Sequence, residues 1–210
     1  MRCMLLAGIG IITAAALGCS GQTDGFTPLF NGQDLQGWTE IGSSSAWSVE
    51  AGVLRCNGQH EDYAWLCTDR KYCDFVLSLD WRLGPNVNSG VFCRVPQHEG
   101  RASMLGFEIQ VADNATAKQP DERCGSIFKR ATSDPDASFP LEQWNRYEIT
   151  CRGPQVTVVC NGRQVLDVDT RTIESMKDVP VCGYIGLQNH GDPVEFRNVR
   201  IKELVTATEP

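Results

Sequence analysis

The sequence predicts an all-β protein, a two-sheet antiparallel β-sandwich of the jelly-roll kind. Three observations carry this. Asp74 to Leu83 alternates cleanly, with Phe75, Leu77, Leu79, Trp81 and Leu83 on one face and Val76, Ser78, Asp80 and Arg82 on the other. About a dozen such runs follow one another at the spacing of sandwich strands. The chain lacks the strand–helix–strand rhythm, glycine-rich phosphate loop or short repeat that would indicate another class.

In chain order, residues 1–18 read as a leader. Arg2 is its one charge, and Met4 to Leu17 is apolar but short for a membrane span. Gly18-Cys19 followed by Ser20-Gly21 reads as a lipobox, with cleavage before Cys19 and lipidation of its thiol. Residues 19–27 are then a short lipid-anchored linker, 28–205 the sandwich and 206–210 a tail. The expected location is exported, either membrane-anchored through the lipid or periplasmic. Within the sandwich, Tyr147, Ile149 and Cys151 alternate with Arg146, Glu148 and Thr150, and Val156, Val158 and Cys160 continue after a Gly153-Pro154 turn. Asn161-Gly162 marks a hairpin into Gln164 to Val168. Val194 to Leu204 is the last strand, and Ile173 to Lys177 alone looks briefly helical.

Composition narrows the partners. With 26 acidic and 19 basic residues among 210, the formal charge of -7 argues against nucleic acid. Ten cysteines argue against a reducing cytosol. Apart from Cys3 and Cys19, eight remain, an even number that favours disulfides in an exported chain. Cys56 and Cys67 flank a plausible hairpin and are a candidate pair. Cys93 and Cys151 fall on apolar strand faces, where a buried or bridged sulfur is expected. Trp38, Trp47, Trp81 and Trp144 each fit a core position.

Polar side chains gather on the outer faces of three strands. In Val91 to Val95, the valines and Cys93 point inward, leaving Phe92 and Arg94 outward. In Phe107 to Val111, Glu108 and Gln110 share the outer face; in Ile185 to His190, Gln188 and His190 do. Asp80 and Arg82 are candidates from a neighbouring strand. Taken singly, each is what a solvated sheet face requires. Together they outline one groove. Glu108 to Asp113 also has the spacing of the ExDxxE motif of retaining jelly-roll glucanases, whose two carboxylates stand about 5 Å apart. Here Gln110 replaces the middle Asp and Asp113 the final Glu, which disfavours that mechanism.

Several segments, taken in order, resemble the 3-keto-disaccharide hydrolase domain family. They are the opening from Gly25 to Trp38, Trp47-Ser48-Val49-Glu50-Ala51-Gly52-Val53-Leu54 and Asn88-Ser89-Gly90-Val91-Phe92-Cys93-Arg94. Gly106-Phe107-Glu108-Ile109-Gln110 and Gly125-Ser126-Ile127-Phe128 follow, the latter with Phe128 where Tyr is usual. Trp144-Asn145-Arg146-Tyr147 and Gly186-Leu187-Gln188-Asn189-His190-Gly191 complete the set. The resemblance spans about Phe26 to Leu204. It implies a concanavalin A-like sandwich and carbohydrate chemistry.

For a glycoside oxidised at C3, the implied reaction begins with loss of the C2 proton. The group at C1 is then expelled, and water adds later. Such chemistry needs a base, an enolate stabiliser and a proton donor rather than paired carboxylates. His190 or Glu108 is the expected base. Arg94 is the expected holder of the enolate, with Lys129 a second cation and Asp80 a second carboxylate. Gln110 and Gln188 are expected to bind hydroxyls, and Phe92 or Trp65 to offer a stacking surface. No metal-ligand spacing is recognised, and no cofactor is expected; a divalent ion held by Glu108 and His190 ranks low. The alternative is a non-catalytic carbohydrate-binding sandwich on the cell surface.

Overall fold

The computed structural model describes residues 24–59, 64–134 and 139–205. The leader, Cys19 and the tail lie outside these residues.

Among the described residues, thirteen strands form two antiparallel sheets. The strands are β1 (Thr27–Pro28), β2 (Trp38–Ile41), β3 (Trp47–Glu50), β4 (Val53–Cys56), β5 (Trp65–Thr68), β6 (Phe75–Leu83) and β7 (Asn88–Val95). After a single helical turn, α1 (Ala102–Leu105), come β8 (Phe107–Ala112), β9 (Asn145–Arg152), β10 (Gln155–Cys160), β11 (Arg163–Asp169), β12 (Tyr184–Gln188) and β13 (Val194–Glu203). The larger sheet runs β11-β10-β9-β6-β13-β4-β3, with β1 paired to β13; the smaller runs β2-β5-β12-β7-β8. The turns follow their local chemistry. Asn161 and Gly162, at φ of 49° and 82°, make the two-residue turn between β10 and β11. The brief helical signal near Ile173 is a 3-10 turn at Glu174–Met176.

The core lies between the sheets. Phe75, Leu77, Leu79 and Trp81 of β6 meet Val91 and Cys93 of β7, Phe107 and Ile109 of β8, and Ile185 and Leu187 of β12. Each fully buried aliphatic or Phe side chain contributes roughly 1.5–3 kcal/mol of apolar transfer. Trp38, Trp47 and Trp81 are core residues, as expected. Trp144 is not. It is held on the larger sheet's outer side between Arg82 and Arg197, whose guanidinium carbons stand 4.7 and 4.1 Å from its ring centre.

The outer face of the smaller sheet is also covered. Trp65, Cys67, Phe92 and Val95 pack there with Ala102 of α1 in a second apolar cluster. This cluster explains the fate of the Cys56–Cys67 pair. Cys56 belongs to the main core and Cys67 to the outer cluster, on different sheets, and both are free thiols. The disulfide joins Cys73 to Cys182 instead, closing a sequence separation of 109. Cys93 and Cys151 are buried, and the Cys93 thiol is pushed up by its hydrogen bond with Cys151 and by burial.

Candidate active site

Strand alternation puts Asn88, Gly90 and Phe92 of β7 on the smaller sheet's outer face, with Glu108 and Gln110 of β8 and Gln188 of β12. Phe92 pairs with Glu108, and Gly90 with Gln110. These side chains wall a cavity of about 260 Å³, completed by α1, Phe128 and His190. The volume is just below the roughly 300–1,000 Å³ of drug-sized sites, the scale of a single sugar ring.

Glu108 sits at its floor, 2% exposed. Burial pushes its carboxyl up to about 8, against the opposing pull of the Arg101 charge and a hydrogen bond from Gln188. Gly90 makes the seat possible. A Cβ there would stand 2.6 and 2.8 Å from the Glu108 Cγ and Cδ, inside van der Waals contact. Gly90→Ala is therefore expected to displace the carboxyl while the sheet still forms. Turnover or ligand affinity should fall at least about tenfold, with a stability loss of about 1–3 kcal/mol from overpacking. Thermal melting and a substrate assay on the same sample check this; unchanged function would show that the position of Glu108 is immaterial.

Three side-chain amide oxygens reach the same cavity unpartnered. Asn88 Oδ1, Gln110 Oε1 and Gln188 Oε1 are buried and accept no hydrogen bond among the described residues. Buried acceptors left unpaired are costly, and they mark places where a ligand can donate. His190 stands exposed on the loop after β12, at the cavity's rim. That loop is held by Asn189, whose Nδ2 donates to the Gln59 carbonyl at 2.6 Å and whose Oδ1 accepts from the Gly191 amide. Among the described residues, no group of three or more His, Cys, Asp or Glu side chains is placed to hold a metal ion.

The fold thus brings Glu108, Gln110, Gln188, His190 and Phe92 together. It does not bring Arg94, Asp80 or Lys129. Arg94 departs because β7 carries a bulge. Between the pairs Tyr184–Val95 and Gly186–Phe92, two β7 residues oppose one of β12, and Arg94 takes a φ of 56°. The extra residue resets the alternation, so Val95 joins Phe92 outside. The Arg94 side chain turns to the end of the sandwich. It donates to the Gly153 carbonyl at 2.6 Å, the Cys73 carbonyl at 3.3 Å and the Asp74 carboxylate at 3.2 Å. Gly183 leaves room for this bulge, since a Cβ there would come within 2.6 Å of the Arg94 Cα.

Asp80 lies on the other sheet. Burial would raise its carboxyl, but hydrogen bonds from Arg146, Asn198 and Arg197, with the Arg146 charge, hold it below the ordinary carboxylate value. Lys129 is exposed in a turn at φ 56°, its Nζ 5.2 Å from the centre of the Phe128 ring. Trp65 is fully buried edge-on to Phe92 and beneath Gly186, so it supports the floor rather than offering a platform. Asp113 accepts from the Asn86 and Ala115 amides and shapes the loop after β8; it does not line the cavity. The described lining residues therefore include one carboxylate, Glu108, and no partner for it in a retaining-glucanase pair.

Asn88, Phe128 and Arg101 are among the cavity residues that the outer-face alternation did not single out. Asn88 was legible one turn of the pleat before Gly90 on the same face. Phe128 arrives through a segment alongside β8, where its amide donates to the Glu108 carbonyl at 3.0 Å. Arg101 precedes α1, a turn without a strand pattern.

A β-sandwich with a ring-sized, amide-lined cavity on one sheet is an architecture suited to binding a sugar, and the chain's relatives are carbohydrate-active proteins. The chain belongs to the 3-keto-alpha-glucoside-1,2-lyase-like domain family, whose pattern it matches over residues 25–202. It is 26% identical to the 3-keto-disaccharide hydrolase of Bacteroides thetaiotaomicron, over 86% of this chain and 79% of that protein. A crystal structure from Parabacteroides distasonis described as a "putative glycosyl hydrolase" superposes with TM-score 0.74 at 26% identity, covering 85% of this chain and 99% of that one. The carbohydrate-binding module CBM66 of Bacillus subtilis shares the fold, with TM-score 0.58 and 14% identity over 80% of this chain and 96% of that one.

Proposed function

We propose that this protein is an exported hydrolase or lyase that cleaves 3-keto-glycosides by removing the C2 proton and eliminating the group at C1. The observation that carries the reading is the fully buried Glu108 carboxyl at the floor of a ring-sized cavity, the one carboxylate among its described lining residues. Hydrolysis through an oxocarbenium ion needs two carboxylates across the scissile bond. Elimination needs one base of suitable strength, and a carboxyl near 8 supplies it close to neutral pH.

The proposed sequence balances as follows. Glu108 takes the C2 proton, and the C–H electron pair forms the C2–C3 double bond of an enolate. The enolate collapses to the ketone, a C1–C2 double bond forms, and the C1–O bond breaks. The leaving oxygen takes a proton from His190 at the rim. Water adds across the double bond afterwards, completing net hydrolysis. Asn88, Gln110 and Gln188 accept hydroxyl hydrogens of the sugar and orient it, while Phe92 covers an apolar face of the ring. Export agrees with the leader, with lipidation of Cys19, and with the Cys73–Cys182 disulfide, which belongs to an oxidising compartment.

The test follows the chain with a 3-keto-glucoside and with its unoxidised parent, in deuterated water, by NMR. Aglycone release from the keto-sugar alone, with deuterium entering at C2, is the expected result. Saturable binding without product would identify a carbohydrate-binding module. Cleavage of the parent alone would restore direct glycoside hydrolysis.

A further inference from the structure

We infer that Arg101 is a catalytic residue of this site, the cation that receives the negative charge developing on the C3 oxygen. The inference rests on the eliminative reading above and supplies the enolate holder that the bulge at Arg94 removes from the cavity.

Arg101 immediately precedes α1 and lines the cavity mouth. Its Nε donates to Ser103 Oγ at 3.2 Å, and its guanidinium carbon stands 5.8 Å from the centre of the Phe128 ring. Among the described lining residues it is the permanent cation; Glu108 and His190 are the other titratable groups. Its field already reaches Glu108, whose carboxyl it draws downward against burial. Gln188 of β12 faces the same carboxyl as a neutral hydrogen-bond donor, and β7 presents Gly90, which carries no charge.

The short helix that places Arg101 is anchored at its far end. Arg130 donates from Nη1 to the Gly106 carbonyl at 2.5 Å and from Nη2 to the Met104 carbonyl at 2.9 Å. Gly106 itself lies against β7 so closely that a Cβ there would come within 2.9 Å of the Arg94 carbonyl carbon. Ala102 and Ser103 are buried beneath the turn. The backbone that carries Arg101 is therefore fixed, and its exposed guanidinium is tethered at Nε by Ser103, leaving it at the mouth where a developing charge can be stabilised.

The chemistry fits the two positions. As Glu108 removes the C2 proton at the floor, charge moves onto the C3 oxygen, one bond farther along the ring. A cation at the mouth then stabilises the enolate more than the starting ketone, which lowers the barrier to its formation. When the C1–O bond breaks, the neutral C3 carbonyl re-forms, the C1–C2 double bond forms, and the charge leaves with the aglycone oxygen.

Arg101→Met and Arg101→Lys test this with a 3-keto-glucoside across pH. Arg101→Met should lower kcat about 10²–10³-fold, slow deuterium entry at C2 equally, and move the rising limb of the pH profile upward, because Glu108 loses a favourable charge. Arg101→Lys should restore the limb and part of kcat. A kcat within threefold of wild type with an unmoved limb overturns the inference alone. A wild-type chain that leaves the keto-sugar untouched overturns the eliminative reading and the enolate role with it. In that event, 13C NMR titration of Glu108 in the unliganded Arg101→Met variant still decides the electrostatic coupling: an upward move supports it, and an unmoved midpoint overturns it.

Discussion

Glu108→Gln is expected to abolish turnover of a 3-keto-glycoside by at least about 10²-fold, the usual contribution of a positioned base, while making the protein more stable at alkaline pH. Both effects come from one feature, a carboxyl buried to 2% exposure whose titration rises from 4.5 to about 8. The sign is fixed by linkage. A carboxyl that binds its proton more tightly when folded gives its full contribution below about 4.5, loses it as pH rises, and levels off above about 8. Glutamine has nothing to ionise and should flatten that decline. At pH 8.5 the difference is on the order of a few kcal/mol, or roughly 5–10 °C in Tm for a chain of this size. Wild-type kcat/KM should rise through the same pH window in which stability falls. Thermal melts of both proteins from pH 4 to 9, beside the NMR assay, check the pair of effects. Equal pH slopes would show that Glu108 is not held protonated by its burial.

Replacing Arg94 by Met is expected to unfold the protein more readily by about 3–5 kcal/mol, because it leaves the buried Asp74 carboxylate without its charged partner. The Arg94 side chain is 3% exposed and that of Asp74 10%. Asp74 Oδ1 also accepts from the Gly153 amide at 2.9 Å, so the pair ties β7 to the start of β6 and to the turn between β9 and β10. The attachment lies beside the Cys73–Cys182 disulfide. Adding Asp74→Asn to the Arg94 variant should recover part of the loss, since no unpaired charge remains. Urea unfolding of the single and double variants measures this. Loss of turnover by a fully stable Arg94→Met protein would return Arg94 to the chemistry.

Much of this molecule was legible in its sequence because strand alternation reports which face a side chain occupies. The period of two in β6, β9 and β10 named the core residues, and Asn161-Gly162 named its turn through the positive φ that both residues accept. The same alternation placed Phe92, Glu108, Gln110, Gln188 and His190 on the outer faces of three strands, and the motif resemblance pointed to the same segments. Local pattern failed where the chain departs from regular strand. A single inserted residue in β7 turned Arg94 away from the cavity, and no run of five residues announces a bulge that Gly183, just before β12, makes room for. Asp80 was misplaced because alternation gives a face but not the sheet to which that face belongs. The disulfide was misjudged for the same reason, Cys56 and Cys67 being near in sequence yet on opposite sides of the smaller sheet.

The sequence alone determined the class of fold, the inward residues and the outer-face polar set, since these depend on periodicity along one chain. Tertiary structure decided which of those polar groups share a cavity, which cation stands over it, and how far burial shifts the Glu108 carboxyl. Those properties depend on distances between segments far apart in sequence, and on the exclusion of water that only their packing produces.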